Sequence, residues 1–570
     1  MSDKEMIHIN TNKANKFDVI VVGSGLSGGW AAKEFTENGL NTLVLERGRD
    51  IKHGQYPTAL SEPWTDPTGL ALDPKMIAEN PIVSKCYAFR KETVHHFVKD
   101  KEHPYIQVKP FDWIRGYQVG GKSLMWARQV QRWSDLDFTA NSLDGHGVDW
   151  PIRYKDIAPW YSYVEKFIGV SGNKDGLEQV PDGEFLPPFE FNCVESHIKS
   201  KLEANYPFVN VIVGRTTNLT KRHNERGPCM LRHKCERGCP YGGYFSANSS
   251  TLPAAYKTGY MTLRTHAVVH SIIYDELKQK ATGVRVVDAK TKEMTEYYSE
   301  VIFLNAGTVN TTALLLNSTS NRFPEGLGND NDVLGRYLMD HDFRGKIYAD
   351  VEGFEDKYYS GHKPINGYIP RFRNFKSDKQ EKFLRGYAYQ FTASRGIGTL
   401  GNTSAKFGKE FKENLTNLGP WRTNLGPMGE QLPYRNNRIT LNKNKKDAWG
   451  IPLIEIDAEI NKNEDVMLDD ALNFGAEMLN TAGCKNINIV KNKKWNLGLG
   501  IHEMGTARMG KDPKTSMLNK YNQLHHVKNV FVTDGSCMAS SACQNPSITY
   551  MALTARAANY AIQELHKKNL

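Results

Sequence analysis

Short apolar runs near the N-terminus predict a strand, a helix and a second strand in close succession. Residues 17–22 form a β-branched run, which is typical of a buried parallel strand. Residues 28–38 are compatible with a helix that Gly39 can end, and residues 41–45 predict the next strand. The chain therefore opens with a strand–helix–strand unit of the α/β kind.

Later regions differ in how apolar and polar positions alternate. Residues 260–317 return to an α/β pattern, with strands predicted over 261–263, 269–274, 282–287 and 301–305 and a helix after the last of them. Residues 346–490 alternate instead, as in RITLNKN and PLIEIDAEI, which indicates an antiparallel sheet with one solvated face. Residues 149–172 predict a helix with Pro159 in its first turn.

The turn after the first predicted strand contains three spaced glycines. Gly23, Gly25 and Gly28 form G-x-G-x-x-G, in which the glycines permit a tight turn, the approach of a pyrophosphate and close packing of the following helix. Glu46 ends the second strand, where a carboxylate can bind both hydroxyls of an adenosine ribose. An ordinary glycine loop is the alternative, but the strand, helix, second strand and acid all agree with a dinucleotide site.

Composition describes a globular protein long enough for two large domains, with 570 residues, 39% hydrophobic residues and 25 prolines. The net charge of +10 indicates a solvated basic surface or attraction to an acidic partner, and no nucleic-acid-binding module is present in the sequence. No apolar run is long enough for a transmembrane segment. The N-terminal residues are polar and lack an export signal, so we expect either a cytoplasmic protein or one exported to the periplasm with a partner subunit.

Six segments occur in the order typical of the glucose-methanol-choline (GMC) oxidoreductases. They are VVGSGLSGGWAAKEF, QVGGKSLMW, LNAGTVNTTALLL, NDVLGRYLMDH, HEMGTARMG and TDGSCMASSACQNPSITYMAL. The sequence resembles this family over nearly its whole length, and it is most similar to the bacterial sugar dehydrogenase branch. That branch includes the catalytic subunits of gluconate 2-dehydrogenase, FAD glucose dehydrogenase and glucoside 3-dehydrogenase.

The resemblance implies a Rossmann-like FAD-binding domain interleaved with a substrate-binding domain built on an antiparallel β-sheet plus helices. Residues 15–55, 111–135, 210–345 and 495–570 are assigned to the first domain, which includes a cysteine-bearing loop at 222–250. Residues 56–110, 136–209 and 346–494 are assigned to the second. The residues expected near FAD are Gly23, Gly25, Gly28, Glu46, Gly120, Gly121, Val269 and Asp534.

The same resemblance places the chemistry on His502 and Asn545. Oxidation of an alcohol removes a proton from oxygen and a hydride from carbon, and a histidine suits the first task near neutral pH. The family's base is the His of H-x-M-G-T, here His502, and a second hydrogen-bonding residue is the Asn of Q-N-P, here Asn545. Some relatives attach FAD through a histidine at the position of Met125, so we expect FAD to be held non-covalently here.

Three of the eight cysteines lie close together in sequence. Cys229, Cys235 and Cys239 form C-x5-C-x3-C followed by Pro240, a spacing that allows three thiolates to bind one metal centre. The resemblance implies a 3Fe-4S cluster. A zinc site completed by His233 or His223 and plain reduced cysteines are the alternatives. The basic residues around the loop could offset an anionic cluster or receive an acidic electron-transfer partner; they are Arg222, Arg226, Arg232, Lys234 and Arg237.

The sequence therefore predicts an FAD-dependent sugar dehydrogenase. The resemblance favours oxidation at C3 of glucosides to 3-keto sugars, with electrons passing through the cluster to a c-type cytochrome, and it implies a small partner subunit. A pyranose or alcohol oxidase that uses oxygen is one alternative. A non-catalytic flavoprotein that serves as an electron-transfer subunit is another.

Overall fold

The fold is described from a computed structural model that covers residues 9–10, 15–61, 72–357, 364–397, 407–416, 418–492 and 494–570. Most of the polar N-terminal segment, on which the expectation about export rests, lies outside these ranges.

The first sheet joins strands from three distant parts of the chain. Its main path runs Met261–Arg264, Thr42–Leu45, Lys16–Val22, Met294–Leu304, Lys280–Asp288 and Ala267–Asp275, and Ile9–Asn10 and Val530–Val532 both pair with Met294–Leu304. The strands on the Lys16–Val22 side are parallel, whereas the last two form antiparallel pairs. The predicted strand–helix–strand unit is confirmed, with its helix at Leu26–Glu37.

Apolar side chains from both ends of the chain fill the core on one face of this sheet. Phe35 of the first helix packs against Phe303, and Phe303 stacks on Phe531 at 4.8 Å between ring centroids. The C-terminal helix Ser547–His566 adds Ala557 and Ala561 to the same cluster. The cofactor-binding half of the fold is thus complete only when its last helix is in place.

The second sheet is antiparallel throughout, as the alternation over residues 346–490 predicts, although the segments RITLNKN and PLIEIDAEI pair with each other in a separate small sheet. Its strands, in spatial order, are Lys485–Lys491, Gly345–Val351, Leu418–Gly429, Tyr387–Ile397, Gly367–Ile369 and Ile212–Val213. Helices Cys193–Asn205 and Lys462–Thr481 cover one face, where Ile347, Leu425 and Tyr389 are buried. Ile212–Val213 belongs to this sheet although the sequence division assigned residues 210–345 to the other domain.

Smaller elements complete the description. Arg438–Lys446, Pro452–Asp457 and Ile106–Gln107 form a third sheet, and Val170–Ser171 pairs with Phe185–Leu186. The other helices of the described ranges are Pro74–Glu79, Asp135–Asp144, Tyr154–Ile168, Thr251–Lys257, Thr308–Asn317 and Gly408–Thr416. Short 3₁₀ turns span Val83–Lys85, Val94–His96, Gly121–Leu124, Cys235–Arg237, Ala247–Ser249 and Gly535–Cys537.

One helix begins earlier than the sequence indicates. It spans Tyr154–Ile168, so Pro159 lies beyond the first turn and the predicted position of this proline is wrong. The Asp156 carboxylate accepts a hydrogen bond of 2.8 Å from the Arg153 backbone N–H, which fixes the earlier start. Within the described ranges, no helix combines the length and apolar character that crossing a membrane requires.

Candidate active site

A cavity of about 830 Å³ lies between the first and second sheets. One end is lined by the glycine turn after Lys16–Val22, and the other by polar residues of the antiparallel sheet. This volume is within the usual range for pockets that bind small molecules and cofactors.

In the glycine turn, the protein's own backbone requires glycine at Gly23 and Gly28 but not at Gly25. Gly23 has φ +96°, and a Cβ on Gly28 would lie 1.9 Å from the Gly23 carbonyl oxygen. A Cβ on Gly25 would meet no protein atom within 4 Å, and the φ of Gly25 is an ordinary −72°. Gly25 therefore borders open space in front of the N-terminus of helix Leu26–Glu37, where a pyrophosphate is favoured.

Two buried carboxylates lie beside this turn. Glu46 accepts hydrogen bonds from the backbone N–H groups of Ser24 (3.2 Å) and Gly48 (2.8 Å). Asp534 accepts from the backbone N–H groups of Gly307 (2.9 Å) and Ser536 (3.0 Å). Burial raises the pKa of both carboxyls, while these hydrogen bonds act in the opposite direction.

The structure brings the predicted cofactor residues together in two layers. Gly23, Gly25, Glu46, Gly121, Val269 and Asp534 line the cavity directly. Gly28 packs behind Gly23, and the Gly120 N–H donates to the Ser24 hydroxyl oxygen at 3.0 Å. The open space at Gly25, the helix N-terminus and the acid at Glu46 together fit the adenosine diphosphate part of FAD.

His502 and Asn545 lie side by side on the wall of the same cavity. Asn545 Nδ2 is 3.4 Å from His502 Nε2, and Gln390 Nε2 donates to Asn545 Oδ1 at 3.3 Å. The Phe343 ring packs near the imidazole of His502, with 6.0 Å between ring centroids. Gln390 comes from the second sheet, so the substrate-binding sheet contacts the predicted catalytic pair.

A second histidine, His341, determines which nitrogen of His502 can act as a base. His341 Nε2 lies 3.1 Å and 2.9 Å from the carbonyl oxygens of Ser541 and Ala542. Carbonyl oxygens only accept, so His341 carries its proton on Nε2 and its Nδ1 is an acceptor. His502 Nδ1, at 2.9 Å from His341 Nδ1, must then be the donor. His502 Nε2 is therefore unprotonated; its lone pair accepts a long hydrogen bond of 3.4 Å from Asn545 Nδ2 at the cavity wall.

Burial keeps both imidazoles neutral. It lowers the pKa of His341 and, together with the neighbouring His341 and Lys122, lowers the pKa of His502 well below its usual value. A neutral His502 can accept a proton from a hydroxyl group placed against Nε2.

Asp340 holds the backbone of the two segments that carry His341 and His502. Its carboxylate accepts hydrogen bonds from the backbone N–H groups of Gly498 and Gly500 (both 2.9 Å), His502 (3.0 Å) and His341 (2.8 Å). Burial and the nearby Glu503 raise the pKa of Asp340 to about 7. Asp340 and His341 end the segment NDVLGRYLMDH, but the sequence alone assigned them no role.

The cysteine loop lies next to the cavity. Glu236 lines the cavity, and Cys235 precedes it in the short turn Cys235–Arg237. A Cβ on Gly243 would lie 3.2 Å from Cys229 Cα and 3.4 Å from Cys239 Sγ, so these two cysteines approach one point. All three cysteines are partly buried.

Four of the basic residues of this loop hydrogen-bond or form ion pairs with neighbouring segments. Arg226, Arg232 and Lys234 donate to the carbonyl oxygens of Ile168, Ala59 and Ser61, and Arg237 forms an ion pair with Glu92 at 3.1 Å. They therefore hold the loop on its neighbours. Arg128, which sequence reasoning missed, is buried and forms an ion pair with Glu236 at 3.6 Å.

A site for a single metal ion receives no support from this loop. Across the described ranges, no three His, Cys, Asp or Glu side chains are close enough together to hold one ion. A tetrahedral zinc ion with a Zn–S distance of about 2.3 Å needs its thiolate sulfur atoms about 3.8 Å apart. His223, one of the suggested fourth ligands, is hydrogen-bonded to the Lys166 carbonyl oxygen at 2.9 Å. A cluster of several iron atoms separates its thiolates more widely than one ion does.

The dinucleotide cradle and the neutral His502 beside it define an FAD-dependent oxidoreductase that acts on CH–OH groups. The chain belongs to the GMC oxidoreductase family: the model of the N-terminal domain matches residues 17–343, and that of the C-terminal domain matches residues 433–554.

Several characterised relatives are similar over almost the whole chain. The 2-methyl-1,2-propanediol dehydrogenase of Mycolicibacterium austroafricanum is 27% identical, with 96% of both chains covered. The fructose dehydrogenase large subunit of Gluconobacter japonicus is 25% identical, with 97% of this chain and 99% of the relative covered. The gluconate 2-dehydrogenase flavoprotein of Pantoea cypripedii is 24% identical, with 98% and 95% covered.

Solved structures show the same fold. An Aspergillus oryzae formate oxidase variant superposes with a TM-score of 0.61 at 14% identity, covering 98% of this chain and all of that chain. The pyridoxine 4-oxidase of Mesorbium loti gives a TM-score of 0.59 at 15% identity, covering 96% of this chain and 99% of that one.

Proposed function

We propose that this protein is a sugar dehydrogenase that oxidises one ring hydroxyl to a carbonyl. The observation that carries the proposal is the unprotonated Nε2 of His502, which accepts only a long hydrogen bond from Asn545 and lies at the polar end of the cavity. His502 Nε2 accepts the hydroxyl proton, and the Asn545 amide can hold the substrate oxygen in place. When bound, FAD supplies the acceptor for the hydride that leaves the carbon. Fructose and gluconate are named as substrates of two relatives, which supports a sugar here.

We further propose C3 of a glucoside as the position of oxidation. The resemblance of residues 235–255 to glucoside 3-dehydrogenases supports this choice. Mixing the oxygen-free FAD enzyme with methyl glucoside should bleach the flavin absorbance, and NMR of the product should show a 3-keto sugar. Oxidation at another carbon would reject the C3 assignment, and absence of reduction by a panel of sugars would reject the sugar dehydrogenase.

FAD is proposed to be held without a covalent bond. Met125, at the position where some relatives carry the linking histidine, is buried on the cavity wall and has no group that forms such a bond. Acid precipitation should release all of the flavin into the supernatant. Flavin that stays with the pellet would contradict this proposal.

The three-cysteine loop is proposed to hold a 3Fe-4S cluster through Cys229, Cys235 and Cys239. Such a cluster supplies one-electron transfer, which suits a flavin that is reduced by two electrons. Two features support it: the approach of Cys229 and Cys239 to one point, and the position of Cys235 beside the cavity wall at Glu236. Protein purified without oxygen should contain three iron atoms per chain, from the cluster's composition, and acid-labile sulfide. Absence of both would overturn the cluster.

An electron-accepting partner, a c-type cytochrome with a small subunit, is proposed to dock over this loop. Apolar side chains are exposed there: Met230 (59%), Leu60 (59%) and Tyr241 (45%). Leu60 is beside the loop because Arg232 and Lys234 bind the carbonyl oxygens of Ala59 and Ser61. The names of two relatives, a large subunit and a flavoprotein, also support a multi-subunit enzyme. If reduced enzyme transfers its electrons rapidly to oxygen but not to cytochrome c, the oxidase alternative is correct instead.

A further inference from the structure

Lys346 is a cationic side chain on the cavity wall. It lies in strand Gly345–Val351 and lines the cavity. Within the described ranges it makes no ion pair and no side-chain hydrogen bond. Burial alone lowers the pKa of its ammonium group. The positive charge of Lys346 is therefore not balanced by any acidic side chain of the described ranges.

The acids of the cavity cannot supply that anion because each has other partners. Glu503, Asp447 and Glu236 form ion pairs with Lys122 (3.0 Å), Arg47 (3.6 Å) and Arg128 (3.6 Å). Glu46 and Asp534 are hydrogen-bonded beside the glycine turn. The only acids lining the cavity in the described part of the chain are these five.

The register of the second sheet leaves a gap between Lys346 and the catalytic end of the site. Ile347 pairs with Leu425, which places Lys346 opposite Gly426, and Gly426 pairs with Gln390. Lys346, Gly426 and Gln390 thus form a row across three strands on the cavity face. A Cβ on Gly426 would have only the Gln390 carbonyl oxygen within 4 Å, at 3.8 Å. The space above this glycine is open.

This row ends at the catalytic pair. Gln390 Nε2 donates to Asn545 Oδ1, and Asn545 lies against His502. The Cα atoms of Lys346 and Gln390 are about 10 Å apart, two strand spacings. Phe343, which packs near His502, is three residues from Lys346, a separation of at most about 11 Å. A molecule whose hydroxyl reaches His502 can therefore place a second group at Lys346.

We propose that Lys346 binds an oxyanion of the substrate, so that the preferred substrate is an anionic sugar carrying a carboxylate or a phosphate. This proposal rests on the proposed sugar dehydrogenase activity. The hydroxyl to be oxidised lies at His502, the ring lies over Gly426, and the anionic substituent lies at the Lys346 ammonium group. Gln390 and Asn424 line the same space and can hydrogen-bond to the remaining hydroxyls.

Three sugars with one ring test the proposal: methyl glucoside, methyl glucuronide and methyl glucoside 6-phosphate. Anaerobic stopped-flow gives kcat/KM for flavin reduction by each. In the wild type we expect at least one anionic sugar to exceed the neutral sugar by about 10-fold or more, the scale of a hydrogen bond to a charged group. Whether the glucuronide or the phosphate is preferred identifies the oxyanion.

Substitutions of Lys346 then test whether its side chain causes the preference for anionic sugars. In Lys346→Met the ratio of anionic to neutral kcat/KM should fall by about 10-fold to 100-fold, and Lys346→Arg should keep most of it. Lys485→Met is the matched control, since it removes the same charge from an exposed position on the edge strand of this sheet. A ratio near one in the wild type, or equal loss with all three sugars in Lys346→Met, would overturn the proposal.

A failure of the proposed function can be told apart from a failure of this inference. If none of the sugars reduces the flavin, the sugar dehydrogenase assignment fails. Calorimetric binding of methyl glucuronide and methyl glucoside 6-phosphate to oxidised wild type and Lys346→Met still decides the role of Lys346. Binding that depends on Lys346 supports an oxyanion site, and binding that is absent or independent of it rejects one.

Discussion

His341 and His502 share one hydrogen bond of 2.9 Å between their Nδ1 atoms. Because two carbonyl oxygens hold the proton of His341 on Nε2, this bond fixes His502 with its proton on Nδ1. The tautomer of the base is therefore set by a neutral neighbour, and among the described residues no carboxylate is hydrogen-bonded to the ring of His502.

His341→Phe should slow flavin reduction by about 10-fold or more, because His502 loses the acceptor that holds its tautomer and a buried donor is left unpaired. FAD content should not change. Anaerobic stopped-flow with a sugar measures the rate. His197→Phe is the control, since His197 also contacts a backbone carbonyl, that of Ala482, on a helix outside the cavity. A wild-type rate in His341→Phe would show that His341 does not position the base.

His502→Ala should retain FAD but lower the rate of flavin reduction by roughly 100-fold or more, the usual scale for losing a general base. Asn545→Ala should lower it less, since the amide orients the substrate and does not take its proton. Absorbance of bound FAD and stopped-flow rates provide the two measurements. Unchanged rates in both variants would show that the base lies elsewhere.

In the pH profile of kcat/KM, the acid limb that belongs to His502 should lie below the ordinary histidine pKa of about 6.5, and a step near pH 7 belongs to Asp340, whose pKa is raised to about 7. The active form of His502 is the neutral imidazole, and burial lowers its pKa, so protonation and loss of activity are displaced to lower pH. Stopped-flow reduction in a series of buffers gives the profile. An acid limb at or above pH 6.5 that persists in Asp340→Asn would contradict the role of a neutral His502.

Gly25→Leu should yield folded protein without FAD, whereas Gly28→Ala should also lose stability. A side chain at Gly25 enters only the open space, but a Cβ at Gly28 collides with the Gly23 carbonyl oxygen at 1.9 Å. Flavin absorbance and the thermal midpoint of the apo-proteins separate the two effects. Full FAD occupancy in Gly25→Leu would contradict the assignment of the pyrophosphate site.

Cys235→Ser should remove iron and sulfide from the protein, because a hydroxyl oxygen is a poor ligand for a sulfide cluster. The rate of cytochrome reduction should fall relative to the rate of flavin reduction in the same preparation. Cys193→Ser, at the start of a helix outside the loop, is the control. Equal iron content in both variants would reject Cys235 as a ligand.

Local patterns predicted the strand–helix–strand unit, the antiparallel sheet, the three spaced glycines and Glu46, whereas Gly120, Gly121, Val269 and Asp534 are expected from the family resemblance alone. They failed where a role depends on distant partners. The bond between His341 and His502 joins positions 161 residues apart, and Lys346 is distinctive only because Gly426 lies opposite it. The sequence indicates only that Arg226 adds positive charge around the cysteine loop, whereas its burial and its hydrogen bond to the Ile168 carbonyl oxygen depend on a partner 58 residues away.

The order of the strands also constrains how the protein is made. Lys16–Val22 pairs with Met294–Leu304, which in turn pairs with Val530–Val532, and the first helix packs against the last. A ribosome synthesises the glycine turn first, but the apolar face behind it stays open until the final helix has left the exit tunnel. Domains usually fold during synthesis from their N-terminal end, but this half of the protein can complete its sheet and its core only after residues 530–566 have been synthesised.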